Sequence, residues 1–502
     1  NAIRADRADG FYLRNLTAQR TTFNAVYVME TDGFVIDSVL ARWNDEYGFL
    51  VFANDHGLLS NCEGYGNGDA AVYPGSASNI NSGAGHEVDR YAVEITGCYG
   101  HHNLLGYSGT AGNSVWAHDN VFTENSAGVA MDSAFPDHPG MPQNHALFEN
   151  NTIGDNNQDY YRYVRDGTCQ RPSAQRGYEE GVVCPSVGLP VGTGVINPGG
   201  NYNIFRDNLV YGHEYAGFLT SWVPGFIRGS TGLGEQFDTS HHNRYYDNAL
   251  GIGRVGTEAR PNRIDFWWDG QGRGSCWQDA NHLVTEPRVL PLCGADDLPA
   301  GLPVGRYLPE PAKLLKLYLC NEYSLEDQAI PANCDWYGAS GLGRIEVQAA
   351  LAEAMLLGLL LLALWARWLR RSGLATGSLL VALAGLMLGV VGSAYEGTAL
   401  IPIGLALFGL GTISVGLVLR DIGRSAFGWL TVVLGALAVL GAVDRGLTMI
   451  PYLPVPPSVL RILLELVWVP WALVVLVRRR TRTAESSSRP KSPITAEQPA
   501  VS

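Results

Sequence analysis

Residues 1–23, NAIRADRADGFYLRNLTAQRTTF, and residues 24–46, NAVYVMETDGFVIDSVLARWNDE, can be laid over one another position by position. Asn24-Ala25-Val26 repeats Asn1-Ala2-Ile3, and Asp32-Gly33 repeats Asp9-Gly10, each at an interval of 23; the turn returns once more as Asp55-His56-Gly57. A fixed period of this size is the mark of a stacked repeat, in which no single unit buries its own apolar face. A second register runs further. Asn15-Leu16, Ser38-Val39, Asn61-Cys62, Gly97-Cys98, Asn120-Val121, Asn151-Thr152, Asn208-Leu209 and Asn248-Ala249 read as one equivalent position, with gaps of 23, 23, 36, 23, 31, 57 and 40. The longer gaps are coils carrying inserted loops.

Short alternating runs such as Ala25–Met29 and Phe49–Phe52 read as strands, and the Gly, Asn and Asp between them as turns. A coil of about 23 residues is too short to hold a helix and suits three short strands. Coils then stack at the strand spacing of about 4.8 Å. An asparagine repeated at one bend can bond to those above and below it, so these asparagines are expected to be structural.

The composition changes sharply near residue 340. The first part is rich in Gly, Asn, Asp and aromatics and carries the net charge of −13, which disfavours nucleic acid as a partner. The scarcity of lysine (Lys313, Lys316 and Lys491) beside abundant arginine is the usage of a GC-rich bacterial genome. Five apolar stretches follow, at about 346–366, 375–394, 399–419, 427–443 and 459–477, each long enough for about 30 Å of hydrocarbon. Arg367, Arg370 and Arg371, then Arg420 and Arg424, then Arg478, Arg479, Arg480 and Arg482 fall in alternate connections, on one side. The positive-inside rule places that side, and the C-terminus, in the cytoplasm, and the first domain outside the plasma membrane. Gly385 and Gly389 form a GxxxG expected to pack within the bundle. Trp468 and Trp471 read as interfacial anchors, and Glu353 and Glu465 as charges near span ends. The tail 479–502 reads as disordered.

All eight cysteines precede the apolar part: Cys62, Cys98, Cys169, Cys184, Cys276, Cys293, Cys320 and Cys334. An even count on one side of a membrane fits disulfides. Cys62 and Cys98 occupy one position of neighbouring coils and should stack inside, bonded or as thiols. Cys169 and Cys184 bracket an insertion and read as its clip. The last four lie in residues 271–344, expected to cap the final coil. Asn1 begins in mid-coil, so further residues are expected upstream.

The repeat, with its N-x-[VIL] punctuation, resembles right-handed parallel β-helix proteins of the pectate-lyase-like group over about residues 1–270. The resemblance implies an all-β right-handed parallel β-helix, and the apolar stretches add an all-α transmembrane bundle of about five helices after it. It does not imply one activity, since such folds host lyases, hydrolases, epimerases, adhesins and a periplasmic copper-site maturation protein. The Asn-Thr-Asp, paired-Asp and His-Gly set of the hydrolases and the Asp-Pro-His of the epimerases are absent.

The loops that break the repeat hold the remaining candidates. Residues 132–143 supply Asp132, Asp137 and His138 for acid–base work. His101, His138 and His241 are candidate metal ligands, two of them in the doublets His101-His102 and His241-His242, whose rings should point to opposite faces of a strand. Tyr245, Tyr246, Trp267 and Trp268 are candidates for an aromatic platform under sugar rings, or for packing beneath the cap. No cofactor is evident; calcium beside a uronate, or copper on histidines, is what the resemblance would add. The expected function is a non-catalytic scaffold, binding or accessory subunit of a membrane complex, with the bilayer and other subunits as partners. A membrane-tethered polysaccharide lyase, epimerase or hydrolase is the alternative, and copper handling outside the membrane a second one.

Overall fold

A computed structural model describes residues 1–253, 258–293 apart from 279–282 and 287–289, scattered positions between 320 and 334, 345–394 apart from 371, 400–447, and 461 with 464–476. Most of the expected cap, the tail 479–502 and its preceding arginines lie outside these residues. The chain divides into two units, Asn1–Glu346 with Pro451–Val455, and Val347–Ile450 with Pro456–Ser502.

The first unit is a parallel β-helix. Its strands form three parallel sheets of ten, nine and eight strands, and within each sheet neighbours come from successive coils. The coils up to residue 250 visit the sheets in the same order, for example Val26–Met29 in the first, Asp32–Asp37 in the second and Leu40–Arg42 in the third, then Phe49–Phe52 back in the first. Ile3 pairs with Val26, and Val26 with Phe49, an advance of 23 residues; Val93 pairs with Val115, an advance of 22. The strands continue past the boundary expected at residue 270, with Cys276–Trp277 extending the second sheet and Thr285–Glu286 the first.

The alternation read from sequence decides what lies inside. Val26, Phe49, Val72, Tyr107, Val129, Val195, Phe218 and Phe266 form one buried column of the first sheet. Where the third sheet runs close to the first, the filling shrinks to Ala18, Ala41, Gly64 and Gly100; a Cβ on Gly64 would lie 2.7 Å from that of Ala71. Toward the C-terminal end the filling is aromatic, Phe148, Phe205, Tyr245 and Trp277 stacking with centroids 5.6, 4.9 and 5.5 Å apart.

The corners correct the expected register by one residue. Asn15, Ser38, Asn61 and Gly97 are equivalent to Asp119, Asn150, Asp207 and Asp247; all eight take a left-handed φ between 51° and 65° that turns the chain from the second sheet into the third. The residue after each points inward, giving Leu16, Val39, Cys62, Cys98, Asn120, Asn151, Asn208 and Asn248. Only the last four are asparagines, bonded Nδ2 to Oδ1 at 3.0, 3.0 and 2.9 Å. Asn and Asp are enriched both at left-handed turns and in buried amide ladders, which is why the two sets merge in the sequence. A longer ladder runs along the corner between the third and first sheets: Asn44, Asn67, Asn103, Asn125 and Asn156 are linked at 2.7, 2.8, 3.1 and 2.9 Å, and His213 and Asn262 extend it.

Cys169 and Cys184 close the insertion as expected, and Cys276–Cys293 and Cys320–Cys334 are the other disulfides. Cys62 and Cys98 are buried thiols, stacked in neighbouring coils.

In the second unit, the helices Ile345–Leu364, Gly373–Ala394, Leu400–Asp421 and Ser425–Leu447 follow in order. Among the described residues three stretches are long and apolar enough to cross a membrane, Leu351–Leu369, Gly373–Val391 and Ile403–Asp421; Ser425–Leu440 and Leu464–Leu476 are shorter apolar helices. The GxxxG packs inside the bundle, where a Cβ on Gly385 would lie 2.6 Å from the carbonyl of Gly404. Trp468 departs from its expected role as an anchor. It is buried, stacks on Phe427 and donates to Thr431 Oγ1 at 2.9 Å, because an indole inside apolar helices must find an acceptor. Glu353 and Glu465 both accept from Arg461, at 2.5 and 2.6 Å.

Candidate functional site

Asp132 ends the strand Ala127–Asp132, buried, accepting from Thr110 Oγ1 and the Ala134 amide, each at 2.8 Å. Burial pushes its carboxyl above the ordinary carboxylate range. His138 comes back over the first sheet. Its Nδ1 faces the Pro136 carbonyl at 3.1 Å and so carries the proton, leaving Nε2 to accept from the Tyr73 hydroxyl at 3.0 Å. Tyr73 also lies beside Thr110, whose hydroxyl proton is given to Asp132. The structure thus places Asp132 and His138 on neighbouring hydroxyls, Thr110 and Tyr73, while Asp137 stands exposed at the tip with φ 63°. Both oxygens of Asp132 and both nitrogens of His138 are engaged, so the set holds the excursion down on the sheet.

The three candidate metal ligands do not converge. His101 lies on the third sheet between Tyr99 and Tyr65, its Nε2 3.2 Å from Glu63. His138 is on the excursion. His241 lies in the loop after the 216–221 strand, its Nε2 donating to the Phe237 carbonyl at 2.7 Å and its Nδ1 accepting from the Arg273 amide. Among the described residues no group of three or more His, Cys, Asp or Glu could hold a metal ion. The doublets also depart from the expected opposite faces. His102 and His242 are left-handed turn residues, φ 53° and 56°, and the His101 and His102 Nδ1 atoms meet at 2.8 Å.

The four aromatic candidates go to separate places, so no shared platform forms. Tyr245 fills the core, its hydroxyl between Asn197 and Thr220. Trp268 lies against Trp277 inside and donates to the Gln271 carbonyl. Trp267 is buried outside the first sheet with Cys320 and Cys334, under the disulfide segment. Tyr246 faces outward from the second sheet and bonds to Arg206. Period-two alternation separates each adjacent pair.

The outer face of the second sheet carries a cavity of about 610 Å³ that sequence reasoning missed. An outward, largely apolar column lines it, Val35, Leu58, Glu94, Trp116 and Leu147; of the neighbouring polar column, Asp37, Ser60, Thr96, His118, Glu149 and Arg206, only the last two reach the lining. Trp116 is central. Its ring stacks on His118 at 4.0 Å and tilts toward Tyr91 at 6.1 Å, and its Nε1 donates to Glu149 at 2.8 Å. Arg206 donates to the other Glu149 oxygen at 2.8 Å through Nε. His118 lies between Glu94 (3.1 Å) and Asp119 (2.7 Å). At the rim Arg90 donates twice to Asp55, at 2.7 and 3.0 Å, which holds that carboxyl below its usual range. Burial pushes the Tyr91 hydroxyl up to about 12, so it stays a neutral hydrogen-bonding group. An aromatic face beside fixed carboxylates and guanidinium groups is suited to binding a ring that is apolar on its face and polar at its edge.

No family model matches the chain, and no curated protein matches it. Among solved structures it is similar to the A-module of the Azotobacter vinelandii mannuronan C-5 epimerase AlgE6, at 14% identity and TM-score 0.27, over 54% of this chain and 58% of that one. It is also similar to the catalytic domain of a GH87 α-1,3-glucanase in complex with tetrasaccharides, at 10% identity and TM-score 0.24, over 59% of this chain and 54% of that one. The chain therefore spans little more than half the length of either, and the fold rests on its own strand register.

Proposed function

We propose that this chain is a membrane-anchored glycan-binding protein whose β-helix stands outside the plasma membrane. The cavity around Trp116 carries this reading: a half-buried aromatic pair, Trp116 and Tyr91, hydrogen-bonding groups fixed by one another, and a track running across successive coils. Of the three carboxyl groups on the lining, Asp89, Glu94 and Glu149, the two beside Trp116 are already engaged, Glu94 with His118 and Glu149 with Trp116 and Arg206, which favours holding over cleaving. The disulfides support an oxidising compartment. The three long apolar helices and the two shorter ones support a bundle of five spans, and the arginine pattern supports a cytoplasmic C-terminus. The coils wind right-handed, as crossover connections between parallel strands nearly always do.

The test is calorimetric titration of the full chain in lipid nanodiscs with a panel of oligosaccharides, alongside Trp116→Ala. Binding that depends on Trp116, without product formation, is expected. Release of shorter sugars would replace the binding reading with an enzymatic one, and binding indifferent to Trp116 would remove the cavity from the argument. Reporter fusions at the C-terminus test the orientation separately.

A further inference from the structure

We infer that the groove takes an uncharged glycan, extended along the helix axis; this rests on the glycan-binding reading and adds the class and direction of the ligand. The direction follows from the columns. Leu58, Glu94, Trp116 and Leu147 come from four consecutive coils and share one register position, so the track runs parallel to the axis and advances about 4.8 Å per coil. A pyranose ring in an extended chain advances by a similar distance, so successive rings meet equivalent places on successive coils. Rings passing over Trp116 and Tyr91 present their C–H faces to aromatic surface, and their hydroxyls reach Glu94, Glu149 and Arg206 on the lining.

The class follows from how the charges are spent. A polyuronate needs cations that are free to receive it. The lining holds two guanidinium groups, and each already has a carboxylate: Arg90 is bidentate to Asp55, and Arg206 holds Glu149, itself fixed by Trp116. A uronate would have to break one of these pairs, leaving the displaced carboxylate unpaired. It would also meet Asp89, Glu94 and Glu149 on the lining of a chain whose net charge is −13. Hydroxyl groups meet no such penalty, since they both donate to carboxylates and accept from guanidinium N–H.

The experiment is titration of the full chain in nanodiscs with cellohexaose, laminarihexaose and mannohexaose against hexagalacturonate and hexamannuronate, each with and without calcium. Trp116→Ala and Trp116→Phe are measured beside the native chain, with thermal melting to confirm that both fold. At least one neutral hexaose is expected to bind. Trp116→Ala should weaken it about tenfold or more, and Trp116→Phe should retain much of the affinity. Binding should change little with salt, because no ion pair forms. Uronate binding that is stronger than neutral binding and lost in Trp116→Ala would overturn the inference while leaving the groove a glycan site. Failure of every hexaose to bind would overturn the reading beneath it as well.

Discussion

Two corners of the same coil solve one problem differently. Between the third and first sheets, the inward residue after each left-handed turn is asparagine in coil after coil, from Asn44 to Asn156, with one histidine before Asn262. Between the second and third sheets, the same kind of position holds Leu16, Val39, Cys62 and Cys98 before asparagine takes over at Asn120. The turn itself is common to all of them. A left-handed residue makes the bend, and the residue after it is either amide or apolar, provided the backbone groups find partners. The amide ladder therefore adds register and strength to a bend that can form without it.

Removing a middle rung should give the largest effect. Asn151 Oδ1 accepts from both the amide and the side chain of Asn120, and its Nδ2 donates to the Ala117 carbonyl and to Asn208. Asn151→Leu leaves those buried partners unpaired, with an expected loss of about 3–5 kcal/mol, read as a drop in melting temperature. Val39, one of the apolar counterparts, has no such bonds to lose, so Val39→Ala should cost about 1–2 kcal/mol. Equal losses at the two positions would break the comparison.

The histidine within the longer ladder should make that corner acid-sensitive. His213 is fully buried, and desolvation lowers it from 6.5 to about 4 although Asn262 accepts from its Nδ1. A folded value below the unfolded one means that the stability it contributes is present above about pH 6.5 and lost as the pH falls through about 4. The whole step is on the order of 3 kcal/mol. His213→Asn should keep the ladder and flatten the acid limb of a stability–pH curve. An unchanged acid limb would locate the proton uptake elsewhere.

An effect of opposite sign, spread over two groups, is expected on the first sheet's outer side. Burial raises Glu46 to about 7, helped by Asp69 and Asp45, and burial raises Asp69 to about 6 against its bonds to Ser186 and Tyr47. Folded values above the unfolded ones contribute stability that is complete below about pH 4 and declines as the pH rises through 6 to 7. Asp45 and Asp69 hold the 155–192 insertion through Ser173, Tyr178 and Ser186. Proteolysis of that insertion should therefore quicken above neutral pH, and Glu46→Gln should slow it again.

The sequence shows the coils because their turns need left-handed residues, and Asn, Asp and Gly supply them at a steady interval. It hides the side of the turn on which an asparagine lies. Asn15 and Asn120 look alike as letters, yet one makes the bend and the other fills it. The longer ladder has its own intervals, from Asn44 to Asn67 to Asn103, so it is legible once two asparagine registers are sought in place of one. The groove is less accessible. Glu94, Trp116 and Glu149 are 22 and 33 residues apart, and they meet only because an inserted loop of the right length restores the register between coils. The loops around Asp132 and the histidine doublets stand out by composition, and in the structure their polar groups mostly satisfy one another.

The smallest effect is the most direct test of why the ladder stops at Asn120. Cys98 already donates its amide to Asn120 Oδ1 at 2.9 Å, as each asparagine in the ladder does to the next. Its Sγ contacts the Thr96 and Leu59 carbonyls, and Cys62 Sγ contacts those of Ser60 and Ile36. Cys98→Asn would place Nδ2 among these carbonyls and beside Asn120 Oδ1, and Oδ1 where the Cys62 amide and thiol can donate, so every new polar atom has a partner. The change in stability should stay within about 1 kcal/mol. At Leu16 the same substitution meets no asparagine on the following coil, only Val39, and should cost about 2 kcal/mol more. If Cys98→Asn proves as damaging as Leu16→Asn, the corner between the second and third sheets is too narrow for an amide before Asn120, and sterics rather than the absence of a polar neighbour sets where the ladder ends.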